Sequence, residues 1–437
     1  MEKISNETKI NSTSNYNWKL ILSYSSLSFL IMLGTNHIIF TIVALLFACV
    51  LVVKVEGKEN LTGLLFFLLP FAVVFSMAGF ALFNMIYFSV VLKFIYHKNG
   101  HLPKGNIALI LLFIIFNLTF SWGGELFRLM KLCAYFLLAA MLFLDHKPLN
   151  LKKMLILYSL GIILAALFTQ MGNIFPNVSN MTSSATIRTL SGERVDRFSG
   201  LYTNPNFFTM DIIMALSCWF CYFIKRNIEK VEYLFIIILS IIGFSSISNS
   251  FLLAYGLLLG IAVIDILKTN FKKGILSLIA MAAFFVIIGY SLDDQTFNAL
   301  TERVYTMGNA QDAAEFTTRR SDLWQLYFDY IFTSVRTVFF GAGLTVELDY
   351  YAHNYFLETL YHLGIIGVIL YLTTLSSSIK AYPKLKKKGL INYIPLLIFL
   401  FRGVGINLFF RDNKIFFIIL AVIALNTDFG KTESTEG

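Results

Sequence analysis

Residues 204–224 read NPNFFTMDIIMALSCWFCYFI, and this stretch decides the fold. After Asn204 comes a run of about 20 largely apolar residues, the length of a membrane-spanning helix. Asn204 is a good N-cap type, and Pro205 suits the first helical position. The helix starts here, with its free N–H groups and positive dipole end at the mouth. Similar runs recur at 18–35, 37–54, 61–79, 80–96, 107–122, 127–144, 152–169, 232–248, 250–267, 274–291, 354–373, 391–409 and 412–427. The expectation is one all-α polytopic membrane domain over residues 1–437, with about 14 transmembrane helices (roughly 12–14). The last run is short enough to be re-entrant, and Ser245 to Ser250 is a polar hinge that allows 232–267 to be divided differently.

Composition agrees. The chain has 437 residues, 57% hydrophobic and 14% charged, with 44 Phe and a mean hydropathy of +0.71. Soluble domains carry roughly 45–50% apolar and about 25% charged residues. A soluble enzyme, a nucleic-acid-binding domain and a disordered chain are excluded. Four cysteines give no disulfide framework. The 17 mostly polar residues ahead of the first run, with no small-residue site after it, are not expected to form a cleavable leader.

Charge sets the orientation. With a cytoplasmic N-terminus, 23 of the 35 Lys and Arg fall on the inner side, and every inner loop holds at least two. That is the positive-inside pattern. The inner set is 22 Lys and one Arg, Arg226; the remainder is ten Arg and only Lys131 and Lys414. Topology does not require Arg outside, whereas bidentate contact with phosphate or carboxylate does. Better survival of Arg near lipid is the plainer account of the same split. Two long loops, 170–205 and 292–353, are both extracytoplasmic in this topology and are expected to carry short helices and function.

Three segments hold candidate chemistry. The first runs Arg194-Val-Asp-Arg197-Phe-Ser-Gly200-Leu-Tyr202-Thr-Asn204-Pro205-Asn206. Arg197 precedes the helix mouth by a glycine-containing turn, which suits an anion; pairing of Arg197 with Asp196 or Glu193 is the structural alternative. The second is Arg319-Arg320-Ser-Asp-Leu-Trp324. Two arginines at a helix start suit phosphate, and interfacial anchoring to lipid is the alternative. The third is His353-Asn354-Tyr-Phe-Leu-Glu358 with His362, Gly364 and Gly367. Asn354, Glu358 and His362 share a helix face, and ionisable groups inside lipid are usually functional. His353 titrates near neutrality and suits a base or donor. Arg402, inside a span, needs a partner or an anionic ligand. Glu125, Arg128 and Lys131 form an ion-pair ladder or line a path. Cys218 and Cys221 have metal-ligand spacing but no second pair. Phosphate-loop, metal-binding and zinc-protease motifs are missing from the sequence, so nucleotide-driven and metal-driven chemistry have no support.

Arg197 with Gly200 and Asn204-Pro205-Asn206, then Arg320-Ser-Asp-Leu-Trp324, then His353-Asn-Tyr-Phe-Leu-Glu358 with Gly364 and Gly367 resemble the bacterial O-antigen ligase/polymerase superfamily. The matching region covers about 195–370. The departures are Ser248-Asn249-Ser250, where many members carry an Arg, and Arg319, where Gly or Ser is frequent. The resemblance implies a GT-C-like glycosyltransferase of the bacterial inner membrane. It implies a periplasmic site, an undecaprenyl-pyrophosphate-linked oligosaccharide as substrate, membrane lipid around it, and no metal or nucleotide-sugar cofactor. It also implies a chain-length regulator and a flippase as pathway partners, and no nucleic acid. On this reading Arg197, Arg320 and His353 are catalytic, and Arg194, Arg319, Tyr202, Asn206, Asn354, Glu358 and Arg402 bind substrate. The Phe-rich, Lys-rich character favours a polymerase over a ligase acting on lipid A-core. A lipid-linked-oligosaccharide flippase is the alternative from another class; it would line a central cavity within the helices with its charges, whereas here they concentrate in the two outer loops.

Overall fold

Away from water, an apolar run satisfies its backbone hydrogen bonds internally only as a helix. The computed structural model describes residues 18–77, 80–97, 104–120, 126–143, 149–178, 186–188, 192, 194–225, 227–269, 275, 282–283, 286–287, 289–309, 311, 320–344, 346, 348–379, 389–406 and 413–429. These residues are nearly all α-helical.

In chain order the helices are α1 (Trp18–Gly34), α2 (Ile38–Lys54), α3 (Lys58–Leu68), α4 (Phe83–His97), α5 (Lys104–Phe120), α6 (Leu126–Phe143), α7 (Leu151–Gln170) and α8 (Pro205–Ile224). There follow α9 (Lys230–Ser245), α10 (Asn249–Thr269), α11 (Asp294–Gly308), α12 (Arg320–Ile331), α13 (Val335–Phe340), α14 (Tyr355–Ile379), α15 (Ile394–Gly403) and α16 (Asn413–Asn426). Among the described residues α6, α7, α8 and α14 are long and apolar enough to cross a membrane, and shorter apolar helices accompany them. The run 274–291 lies largely outside the described residues.

One expected span is corrected. The run 61–79 is helical only to Leu68, followed by a 3-10 turn over Leu69–Phe71. Pro70 has no N–H to continue the helix. Two short antiparallel strands follow, β1 (Ser76–Met77) and β2 (Phe80–Ala81).

The helix opened by Asn204 and Pro205 is central. The Asn204 side chain accepts from the Asn206 N–H, as the sequence leads one to expect. α8 is buried along almost its whole length, and α7, α9, α10 and α15 pack on it. Lipid tails are as apolar as Leu, so polar links and close packing hold such helices together. Trp219 of α8 stacks on Phe235 of α9, with ring centroids 5.5 Å apart, and donates from Nε1 to Ser159 of α7 at 2.9 Å. The buried Asp211 carboxyl accepts from the hydroxyls of Tyr158 at 2.8 Å and Tyr202 at 2.7 Å.

The other long helix, α14, is broken. Gly364 has φ 62, and Gly341 (φ 79) lies against it. A β-carbon on either glycine would run into the backbone of the other strand of chain. The break frees carbonyls of α14, and the loop before it satisfies them. Ala342 N–H donates to Tyr361 O at 2.8 Å and Gly343 N–H to His362 O at 3.1 Å. His362 Nδ1 in turn donates to Gly343 O at 2.8 Å.

Candidate functional site

The first arm of the site follows a small hairpin. β3 (Thr186–Arg188) pairs antiparallel with β4 (Arg194–Asp196). The chain then turns at Gly200, whose φ of 55 and close approach to the Phe208 ring leave no room for a side chain. Arg197, just after β4, donates from Nε to Ser246 O at 3.0 Å, and Phe198 N–H donates to Ser245 O at 3.2 Å. Both carbonyls belong to the C-terminal end of α9, where a cation is favourable. Tyr202 ties the same turn to Asp211 of α8. The alternative pairing with Asp196 does not occur: Arg197 turns to the α9 end instead. Glu193 lies outside the described residues.

The second arm is α12. Its first residue, Arg320, donates from NH1 to Gly405 O at 2.8 Å. Trp324 Nε1 donates to Ala352 O at 2.9 Å and Tyr327 Oη to Tyr350 O at 3.1 Å, so α12 is pinned to the segment that enters α14. The third arm is Arg402 of α15, only 1% exposed. Its NH2 group donates to Asn206 O at 2.9 Å and Thr209 Oγ1 at 3.0 Å. Its Nε and NH1 have no hydrogen-bond partner among the described residues.

These arms meet around a cavity of about 540 Å³ lined by Arg197, Arg303, Arg320, Arg402, Asn206 and Trp324. Leu253 of α10 and Phe401 and Val404 at the end of α15 form an apolar mouth, all three exposed. Ser248 and Ser250 donate to Asn206 Oδ1 at 2.7 and 3.4 Å, so hydroxyls occupy the hinge where the resemblance would have an Arg. Four guanidinium groups from chain segments far apart in sequence thus face one space. Burial, helped by the neighbouring Arg303 and Arg320, brings the Arg197 guanidinium down to about 10. Burial also lowers Arg303 and Arg320. They remain cations at neutral pH, and an anion in the cavity relieves their mutual repulsion.

The other sequence candidates sit elsewhere. His353 is half-buried just before α14, with a left-handed φ of 49. It does not line the cavity, but burial, and then the charge of Arg320, lower its pKa below the usual 6.5. Asn354 is the N-cap of α14: its Oδ1 accepts from Phe356 and Leu357 N–H at 3.1 Å each. Tyr202 is buried with its hydroxyl on Asp211. Those two side chains, expected on substrate, are engaged by the fold. Glu358 is buried in α14, and its carboxyl oxygens have no hydrogen-bond partner among the described residues. Arg194 is exposed on β4, away from the cavity lining. Arg319, Arg226 and Glu125 lie outside the described residues. Arg128 donates from NH1 to Leu344 O at 2.9 Å. Cys218 and Cys221 are buried free thiols of α8. Arg303 enters the sequence reading only as part of the outer Arg surplus. The signal was its residue type and side, with nothing in its local spacing to single it out.

No protein-family model, curated protein or solved structure matches this chain.

Proposed function

We propose that this chain is a surface-polysaccharide polymerase of the O-antigen ligase/polymerase type, with roughly 12–14 spans and a GT-C-like arrangement in a bacterial inner membrane. The single observation that carries this reading is the convergence of Arg197, Arg303, Arg320 and Arg402 on one cavity with an apolar, exposed mouth. A cationic pocket beside an apolar opening suits a pyrophosphate on a polyprenyl chain. The pyrophosphate takes the unpartnered Nε and NH1 of Arg402 and the fork of Arg320. Arginine geometry matches phosphate oxygens bidentately.

The reaction needs little else from the protein. The glycosyl–pyrophosphate bond is already activated. The anomeric C–O bond breaks with its electron pair passing to the pyrophosphate oxygen, and the arginines stabilise the charge that builds there. A hydroxyl of the acceptor sugar forms the new bond to the anomeric carbon, and its proton passes to His353, which stands outside the cavity lining but close enough to Arg320 to feel its charge. Burial and Arg320 hold that imidazole neutral at pH 7, which is the form that accepts a proton.

Deleting the gene tests the assignment. The expected result is surface lipid capped by a single repeat unit. Long polymer stranded on the polyprenyl carrier would instead make the protein a ligase. An unchanged glycan profile would remove it from this pathway.

A further inference from the structure

A second cleft, also about 540 Å³, lies between the C-terminal ends of α7 and α9. It differs from the arginine cavity in chemistry. Ala166, Ile241 and Ile242 form an apolar wall, and Gln170, Asp196 and Asp293 stand at its polar end. Phe198 closes one side, packed edge-on against Phe208 with centroids 5.8 Å apart. The Ser199 hydroxyl is buried in the wall without a hydrogen-bond partner among the described residues. Arg197 lines both spaces. It is therefore the partition between a cationic cavity and a cleft whose other charged groups are acidic.

This pairing of features selects a ligand class. Apolar walls with a few placed polar groups are the common make-up of small-molecule clefts, typically about 300–1,000 Å³. Carboxylates accept hydrogen bonds from hydroxyl groups strongly, and they repel phosphates and uronic acids. Apolar walls pack the C–H faces of pyranose rings. A neutral saccharide meets these conditions, whereas a pyrophosphate is repelled by Asp196 and Asp293.

We propose that the α7–α9 cleft binds the acceptor glycan through an uncharged sugar residue on one side of Arg197, with the donor held in the arginine cavity on the other. The inference rests on the polymerase reading and names the acceptor class for it. Acidic sugars are excluded from this position by Asp196 and Asp293. The shared arginine stands between the leaving group and the bound acceptor sugar.

The test uses the full chain in nanodiscs, with lipid-linked repeat units from the deletion strain as acceptor and glycan-free undecaprenyl pyrophosphate as the probe of the arginine cavity. Ala166→Trp fills the cleft, and Asp196→Arg, at an exposed position tolerant of change, reverses its charge. Each variant is expected to raise the half-saturating concentration of lipid-linked repeat about tenfold, while undecaprenyl pyrophosphate binds within about twofold of wild type. Wild-type half-saturation in both variants overturns the cleft assignment. So does equal loss of undecaprenyl pyrophosphate binding in Asp196→Arg, because the cleft would then not be separate from the donor cavity. Loss of polymer in Arg320→Ala together with normal behaviour in both cleft variants sinks the cleft alone. Normal polymer in Arg320→Ala sinks the polymerase reading itself.

Discussion

Arg402 offers the sharpest test of the anion site. It is buried, its NH2 is bonded to Asn206 and Thr209, and its Nε and NH1 have no hydrogen-bond partner among the described residues. The substitution is Arg402→Gln, whose amide ends near the position of Nε, two bonds short of the guanidinium NH2. What it removes is the charge, the ties of NH2 to Asn206 O and Thr209, and most of the idle donor capacity. If a pyrophosphate takes those donors, it loses at least two charge-assisted hydrogen bonds, each worth about 1.5–3 kcal/mol. The sum, about 3–6 kcal/mol, is a loss of roughly 10²–10⁴ in affinity for undecaprenyl pyrophosphate. The effect on the unliganded protein is different. A buried charge without full compensation is a cost to the fold, and removing it offsets the lost ties, so Tm without lipid should hold. Wild type should gain Tm on adding undecaprenyl pyrophosphate, and Arg402→Gln should lose most of that gain. Binding to the purified protein in nanodiscs and thermal unfolding with and without lipid report the two effects separately. Affinity within threefold of wild type, or a clear drop in Tm without lipid, would show that Arg402 is a structural tie and refute the reasoning.

Three further outcomes follow from the same geometry. Arg320→Ala should abolish polymer on a carbohydrate gel, with Arg320→Lys restoring only part because a point charge lacks the fork; Arg194→Ala, exposed on β4, should stay within about threefold of wild type. Polymer formation should be flat above neutrality and fall in acid with a midpoint below 6.5, since His353 must be neutral to accept a proton and its pKa is lowered; a midpoint above 7 in the pH–rate profile contradicts its role. Alkaline phosphatase fused near Asn309 should be active and a fusion near Lys386 inactive, and the reverse pattern would invert the topology.

Much of the site is legible in the sequence where a residue's local neighbours explain it. Asn204 and Pro205 announce the start of α8 because capping is a short-range effect. Arg402 stands out because a charge in an apolar run has to be accounted for. Arg197 and Arg320 are visible from helix-mouth position and residue type. Asn354 and Tyr202 have partners in the fold that their local spacing does not show. Asn354 shares a face with Glu358, but its side chain is spent on the first turn. The partner of Tyr202 is Asp211, a carboxyl within α8 that the apolar run conceals. Arg303 joins Arg197 across about a hundred residues of chain, and no periodicity encodes that meeting. The shortened span at 61–79 was foreshadowed by Pro70, whose effect hydropathy averages away.

The broken helix α14 carries a consequence for how the chain is made. Two carbonyls opened at its midpoint and left facing hydrocarbon would each cost several kcal/mol. Their partners, the N–H groups of Ala342 and Gly343, belong to a segment synthesised before α14. The ribosome therefore delivers the cap ahead of the helix that needs it. Residues 335–344 precede in synthesis the helix whose opened carbonyls they cap. This couples the order of biogenesis to a pair of glycines.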